Sequence, residues 1–244
     1  MFAMKNLLAV SVVAVLSACG GGGGDSAVAP VANTAEGLWT GPASTGYTVN
    51  LAVLENGESW GVYTSGTTIY GALNGTANGT NTTFTGTGND FNFVTNSVTT
   101  GTFTGTVVQK SSINASTNTG STVSLTYNTD YDTPASLAKL AGSYSYTGRS
   151  GTYILANDTL VISATGSFTQ SALGCTTTGS LAPRASGKNI FNFTANFVGT
   201  CVFPTGTTVT GVAYLNTKSS PYTILALGLN AGKSDGLVLL GNKI

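Results

Sequence analysis

Tyr47-Thr48-Val49-Asn50-Leu51-Ala52-Val53-Leu54-Glu55-Asn56-Gly57-Glu58-Ser59-Trp60-Gly61-Val62-Tyr63 decides the fold. Asn-Gly between two runs of β-branched and aromatic residues is the strongest short-range hairpin signal, because the tight turn needs positive φ and the strands need side chains that suit a pleated surface. Similar runs follow in a meander: 69–73, 91–94, 103–109 and 123–127, then 143–147, 160–164, 167–170, 175–181, 190–198, 209–216, 223–229 and 236–240. Strands this short and closely spaced predict an all-β fold, either up-and-down barrels or sandwiches.

The two halves of the chain match. Ser59-Trp60 aligns with Ser167-Phe168 and Gly71-Ala72-Leu73 with Gly179-Ser180-Leu181; Gly37-Leu38-Trp39 corresponds to Gly142-Ser143-Tyr144. Such self-similarity predicts two tandem small antiparallel β units, the other reading being one continuous sheet with similar hairpins. The first unit is expected over residues 36–132 and the second over 142–244. Between them, 133–141 reads as a linker with one short helical turn, where Thr133 would cap and Pro134 would take the first helical position.

Composition narrows the function. Only 7% of the 244 residues are charged and the formal net charge is zero, against about 25% charged in an average soluble protein. No basic patch exists, so nucleic acid has no electrostatic footprint to bind. There is no histidine, which rules out a Ser-His triad. Thr, Ser, Asn and Gly must cover the surface instead.

The leader reads Met1-Phe2-Ala3-Met4-Lys5, then an apolar run 7–16, then Leu16-Ser17-Ala18-Cys19. The run is too short to span a bilayer, and small residues precede the cysteine, as in a cleaved export signal. The motif resembles a bacterial lipobox. That resemblance implies a signal peptide over 1–18, diacylglycerol and palmitate-type acylation on Cys19, and anchoring in the membrane; the alternative is an ordinary secretory signal cut after Ala18. Gly20 stands where an Asp would retain an enteric lipoprotein at the inner membrane, so the resemblance implies the outer membrane, on its periplasmic or surface face. Residues 19–35, opening with Gly20–Gly24, read as a flexible tether.

With Cys19 given to lipid, Cys175 and Cys201 remain for an oxidising compartment and are expected to form a disulfide. A hairpin symmetric near Lys188 would set Cys175 opposite Cys201, Thr177 opposite Gly199, Gly179 opposite Phe197 and Leu181 opposite Ala195. The odd-numbered positions, with Phe191 and Phe193, would form its apolar face.

Each half also opens with Gly-x-aromatic, which resembles the first strand of calycin-like barrels such as lipocalins. Lipobox, glycine tether and two small β units together resemble surface lipoproteins of the factor H-binding protein and transferrin-binding protein B kind. No ligand-contact residue carries across from that resemblance.

No catalytic constellation emerges. Glu55 and Glu58 flank a hairpin turn and read as a solvated tip. Asp130-Tyr131-Asp132 has the makings of half a calcium site, a solvated turn being the plainer reading. Ser136-Leu137-Ala138-Lys139 has Ser-x-x-Lys spacing on a very short turn. Asn74-Gly75-Thr76 and Asn78-Gly79-Thr80 match a glycosylation sequon but read as hairpin turns. Tyr127, Tyr131, Tyr144 and Tyr146 read as strand residues, or as the wall of a partner-binding cleft. The function expected is therefore a non-enzymatic, lipid-anchored envelope protein that needs no metal or cofactor and binds a protein or glycan partner. The alternative is a lipocalin-like carrier of a small apolar ligand, which an empty lumen of ~300 Å³ or more would favour.

Overall fold

The structure, a computed structural model, describes residues 33–244. The leader, Cys19 and the glycine run lie outside the described residues. Two closed barrels of eight antiparallel strands follow in tandem. The first is built from β1 (Gly37–Pro42), β2 (Thr48–Val53), β3 (Glu58–Ser65), β4 (Thr68–Thr80), β5 (Thr83–Asn92), β6 (Ser97–Val108), β7 (Ser112–Thr117) and β8 (Thr122–Asn128). A 3-10 turn (Thr129–Asp132) and one helical turn, α1 (Leu137–Leu140), lead to the second. Its strands are β9 (Gly142–Ser150), β10 (Tyr153–Ile162), β11 (Ser167–Ala172), β12 (Cys175–Pro183), β13 (Phe191–Gly199), β14 (Thr208–Asn216), β15 (Thr223–Asn230) and β16 (Gly236–Lys243). The choice between barrel and sandwich is decided by closure: β1 pairs with β8 through Trp39↔Tyr127, and β9 with β16 from Val238↔Arg149 to Lys243↔Tyr144. Closure leaves neither meander with a free first or last edge.

The floor of each barrel is plugged in the same way. Trp39 Nε1 donates to the Ala35 carbonyl at 2.8 Å, and Tyr144 Oη to the Leu140 carbonyl at 2.6 Å, each four residues upstream. Gly37 and Gly142 precede these rings with φ of 154° and 141°, so the chain turns sharply into the first strand where a side chain would be strained. Burial pushes the Tyr144 phenol up to about 12. Gly-x-aromatic is therefore a plug motif, and its two copies correspond. The match of Ser59-Trp60 to Ser167-Phe168 does not hold in the same way, because Trp60 faces out of its barrel and Phe168 faces in. The bulge between Tyr63 and Thr64 on the β3–β4 ladder and the shift between Leu155 and Asp158 on β9–β10 break any single offset between the halves.

Asn33 differs from the free tether expected of it. Its Nδ2 donates to the Ala77 carbonyl at 2.9 Å and its Oδ1 accepts from Gly79 N at 2.7 Å, and Ala35 is fully buried. In the linker, Ser136 rather than Thr133 caps the helical turn, its Oγ accepting from Lys139 N at 3.3 Å.

The barrels share an apolar face. On β3–β5 the outward residues Trp60, Val62, Ala72 and Phe91 are buried. They cluster with Val212, Leu225, Leu227, Leu229 and Val238, the outward residues of β14–β16. Strands β3 and β15 are thus buried on both sides, which is why they read as near-continuous apolar runs. Trp60 Nε1 is the single buried side-chain polar atom among the described residues with no hydrogen-bond partner. Polar links flank this face: Arg184 pairs with Glu55 at 2.8 Å and Lys188 with Asp132 at 3.0 Å.

Cys175 and Cys201 form a disulfide with Cα atoms 4.7 Å apart. The register around it is two residues from that expected: Cys175 lies opposite Gly199, Thr177 opposite Phe197, Gly179 opposite Ala195 and Leu181 opposite Phe193. The turn centres on Gly187, which takes φ of 70°, rather than on Lys188. A slip of two keeps every side chain on its face, so Leu181, Phe191, Phe193, Ala195 and Phe197 are all buried. Cys201 sits beyond β13, where Gly199 turns with φ of 95° and Thr200 N donates to the Gly174 carbonyl at 3.0 Å, bringing the chain back to Cys175.

Candidate functional site

The interiors of the two barrels differ. In the second, inward Phe168, Phe191, Phe193 and Phe197 fill the lumen and leave a cavity of about 90 Å³. In the first, the inward positions of β4, β5 and β6 alternate with glycine: Leu73 and Gly75, then Phe84, Gly86, Gly88 and Asp90, then Gly101, Phe103 and Gly105. Phe103 folds over Gly86, the Gly75 and Gly88 backbones pack closely against each other's strands, Gly101 faces open space short of Asn118, and a cavity of about 290 Å³ remains. Its floor is apolar, lined by Leu51, Leu73, Phe84, Phe103, Ala115 and Leu125.

The opening follows from strand lengths. β6 begins at Ser97, yet its ladder with β7 begins only at Phe103↔Thr117. The wall is therefore incomplete above β7, and the cavity reaches solvent past Thr100, Asn118 and Thr119, which are exposed. Asn118 ties the rim, with its N–H on the Thr102 carbonyl at 2.9 Å and its Oδ1 accepting from Thr102 N at 3.2 Å.

Asp90 is the sole charged residue lining the cavity. Tyr63 Oη donates to its Oδ1 at 2.9 Å, and no other donor reaches the carboxyl among the described residues. Burial raises the Asp90 pKa, and the Tyr63 bond offsets this only in part. Tyr63 in turn packs against Tyr47, with ring centres 5.4 Å apart, so the phenol is held in place from behind. The second lumen also contains a carboxylate, Asp158, but there Gln170 Nε2, Thr159 N and Tyr146 Oη all donate to it. A charge that is already satisfied within a filled barrel needs no ligand.

Other residues singled out by sequence are placed as follows. Asp130 is buried and accepts from Thr217 N at 3.1 Å, while Asp132 accepts from Lys110, Lys188 and Tyr127. The two carboxylates diverge and knit the barrels, rather than forming a solvated turn or a shared site. Among the described residues, no three Cys, Asp or Glu side chains gather as a metal site would require. Glu55 is not a free tip, being paired with Arg184. Tyr127, Tyr131, Tyr144 and Tyr146 are buried and form no cleft. Asn74-Gly75-Thr76 and Asn78-Gly79-Thr80 lie within β4 and are not turns. The residues that the sequence reading missed are Asp90 and the inward glycines; the signal was there in alternation, Thr83-Phe84-Thr85-Gly86-Thr87-Gly88 placing glycine on the face of Phe84.

The fold and this lumen define a protein of two tandem up-and-down β-barrels, one filled and one open. No family model matches the sequence, and no curated protein matches it. Among solved structures, 86% of the chain is similar to 96% of a Bacteroides fragilis protein assigned provisionally to the outer membrane, at 14% identity and a TM-score of 0.25. In a second comparison, 81% is similar to 65% of a mutant of the vaccine antigen transferrin-binding protein B from Haemophilus parasuis, at 8% identity and a TM-score of 0.27. Likenesses at these TM-scores carry no argument about function.

Proposed function

We propose that this chain is a non-catalytic binding protein of the bacterial envelope, held to the outer membrane by lipid on Cys19, whose first barrel takes a small apolar ligand. The observation that carries the ligand is the open cavity of about 290 Å³ with its apolar floor. It stands just below the ~300–1,000 Å³ common for small-molecule sites, the size of a small ligand. Its walls are strands of a closed barrel, so the site is preformed and little ordering opposes binding. The lipobox at Leu16–Cys19 supports the anchor.

A macromolecular partner is the second reading, and one observation favours it. Tyr153, Ile154, Leu173 and Val202 are exposed apolar residues on hairpin tips at one end of the second barrel, beside the disulfide. Adjacent exposed apolar side chains of this kind suit a protein contact.

The test uses the full chain and the neutral probe N-phenyl-1-naphthylamine. One equivalent should bind with a rise in fluorescence, and Gly101→Leu should abolish it, since a side chain there meets only Asn118 Oδ1 at 3.1 Å and projects into free space. Undiminished binding by that variant would remove the lumen as the site. Cys19→Ser should release the chain from the membrane fraction; retention in full amount would refute the anchor.

A further inference from the structure

We infer that the ligand of the first lumen carries a protonated amine on a short apolar body, with the amine on Asp90. The inference rests on the reading of that lumen as a ligand site and adds the chemistry it selects.

Three observations lead to it. First, Asp90 is the one charge in an otherwise neutral cavity wall, facing an apolar floor. Second, its carboxyl is under-satisfied: Tyr63 supplies one bond to Oδ1, and Oδ2 accepts none among the described residues. An ionised carboxylate has about four acceptor sites, so Oδ2, half-buried at the solvent-reached mouth, is free to take a ligand's donor. Third, Arg149, the cation at this end of the first barrel, is engaged elsewhere. The Arg149 guanidinium donates to the carbonyls of Ile69, Phe93 and Gly151 and is held over the Phe93 ring. No cation pairs with Asp90 among the described residues. Partial burial raises its pKa, and the Tyr63 bond offsets this only in part.

An ammonium group answers this deficit. It brings opposite charge and up to three donors, whereas a hydroxyl brings one donor and no charge, and a carboxylate is repelled. Position along β5 fixes the ligand's orientation. Asp90 lies opposite Leu73 and four residues toward the open end from Gly86, over which Phe103 folds, roughly 13 Å along an extended strand. A short alkyl or aryl body would therefore lie on Leu73 and Phe103, with its amine toward the mouth.

The full chain is titrated calorimetrically at neutral pH with octylamine, 1-octanol and octanoate. The three probes share a tail and differ only in head group. Octylamine should bind one equivalent at least about tenfold more tightly than octanol, and octanoate should give no binding heat. Asp90→Asn should bring octylamine to the level of octanol and leave octanol unchanged. Equal affinity of amine and alcohol for the unaltered chain would overturn the amine while leaving the lumen as an apolar site. Absence of binding by all three would remove the site itself. The head-group comparison needs no variant, so it decides the matter even where Asp90→Asn does not fold.

Discussion

Arg149 shows most clearly how one residue can join two barrels. It is 9% exposed and has no carboxylate partner. Its guanidinium is instead neutralised by dipoles: Nη2 donates to the Phe93 carbonyl at 2.8 Å, Nε to the Gly151 carbonyl at 3.1 Å, and Nη1 to the Ile69 carbonyl. Two of these acceptors belong to the first barrel, so the fork on β9 clamps the ends of β4 and β5. Arg149→Met should lower unfolding free energy by about 2–4 kcal/mol, because bonds to a charged donor are lost and buried carbonyls are left without partners. Arg149→Lys should not restore it, since an ammonium lacks the planar fork. Urea denaturation measures both, and a loss below about 0.5 kcal/mol, the range of an ordinary surface change, would contradict the clamp. Nothing in Gly148-Arg149-Ser150-Gly151 announces this role. The partner carbonyl of Ile69 is 80 residues away. Gly-x-aromatic, by contrast, was legible, because its bond reaches only four residues upstream.

At the scale of strands, legibility followed apolar content. β3 and β15 are apolar on both faces and β13 carries inward Phe191, Phe193 and Phe197, and all three were plain in the sequence. β7, Ser-Ile-Asn-Ala-Ser-Thr, was not, since Ile113 and Ala115 alone mark its inner face. The inner half of β4 was misread as turns for the same reason: Asn-Gly pairs favour hairpins locally, and here the ladder to β5 overrides that preference. On β12–β13 the face assignment survived while the register moved by two, because apolar alternation fixes parity and only the turn fixes the count. The disulfide links cysteines 26 positions apart, and closing a loop of that size should stabilise by ~3 kcal/mol by the chain-entropy argument. Replacing both cysteines with serine should therefore lower the denaturation midpoint while leaving ligand binding in the first barrel intact. Loss of that binding would mean that the barrels are coupled through more than their shared face.

At the scale of the molecule, the shared apolar face makes the two barrels one cooperative structure. Leu227 is 4% exposed at its centre, among the residues packed against Trp60 and Phe91. Calorimetry of the full chain should show one transition, and Leu227→Asp, which buries a charge there, should resolve two. A single unshifted transition in that variant would show that the barrels do not depend on each other. The face itself could be read in the sequence, in Ile224-Leu225-Ala226-Leu227 and Leu237-Val238-Leu239-Leu240, where apolar residues occupy both parities. The open lumen was harder to read, because it is made by what glycine leaves out on β4, β5 and β6, and vacancy appears only once the strands are registered. Whether that space is empty and apolar is the central claim, and xenon tests it most directly, since the gas enters dry apolar cavities. A crystal of the full chain under xenon pressure should show density in the first barrel among Leu51, Leu73, Phe84, Phe103 and Leu125. A first lumen without xenon, closed by side chains from its own strands, would contradict the account.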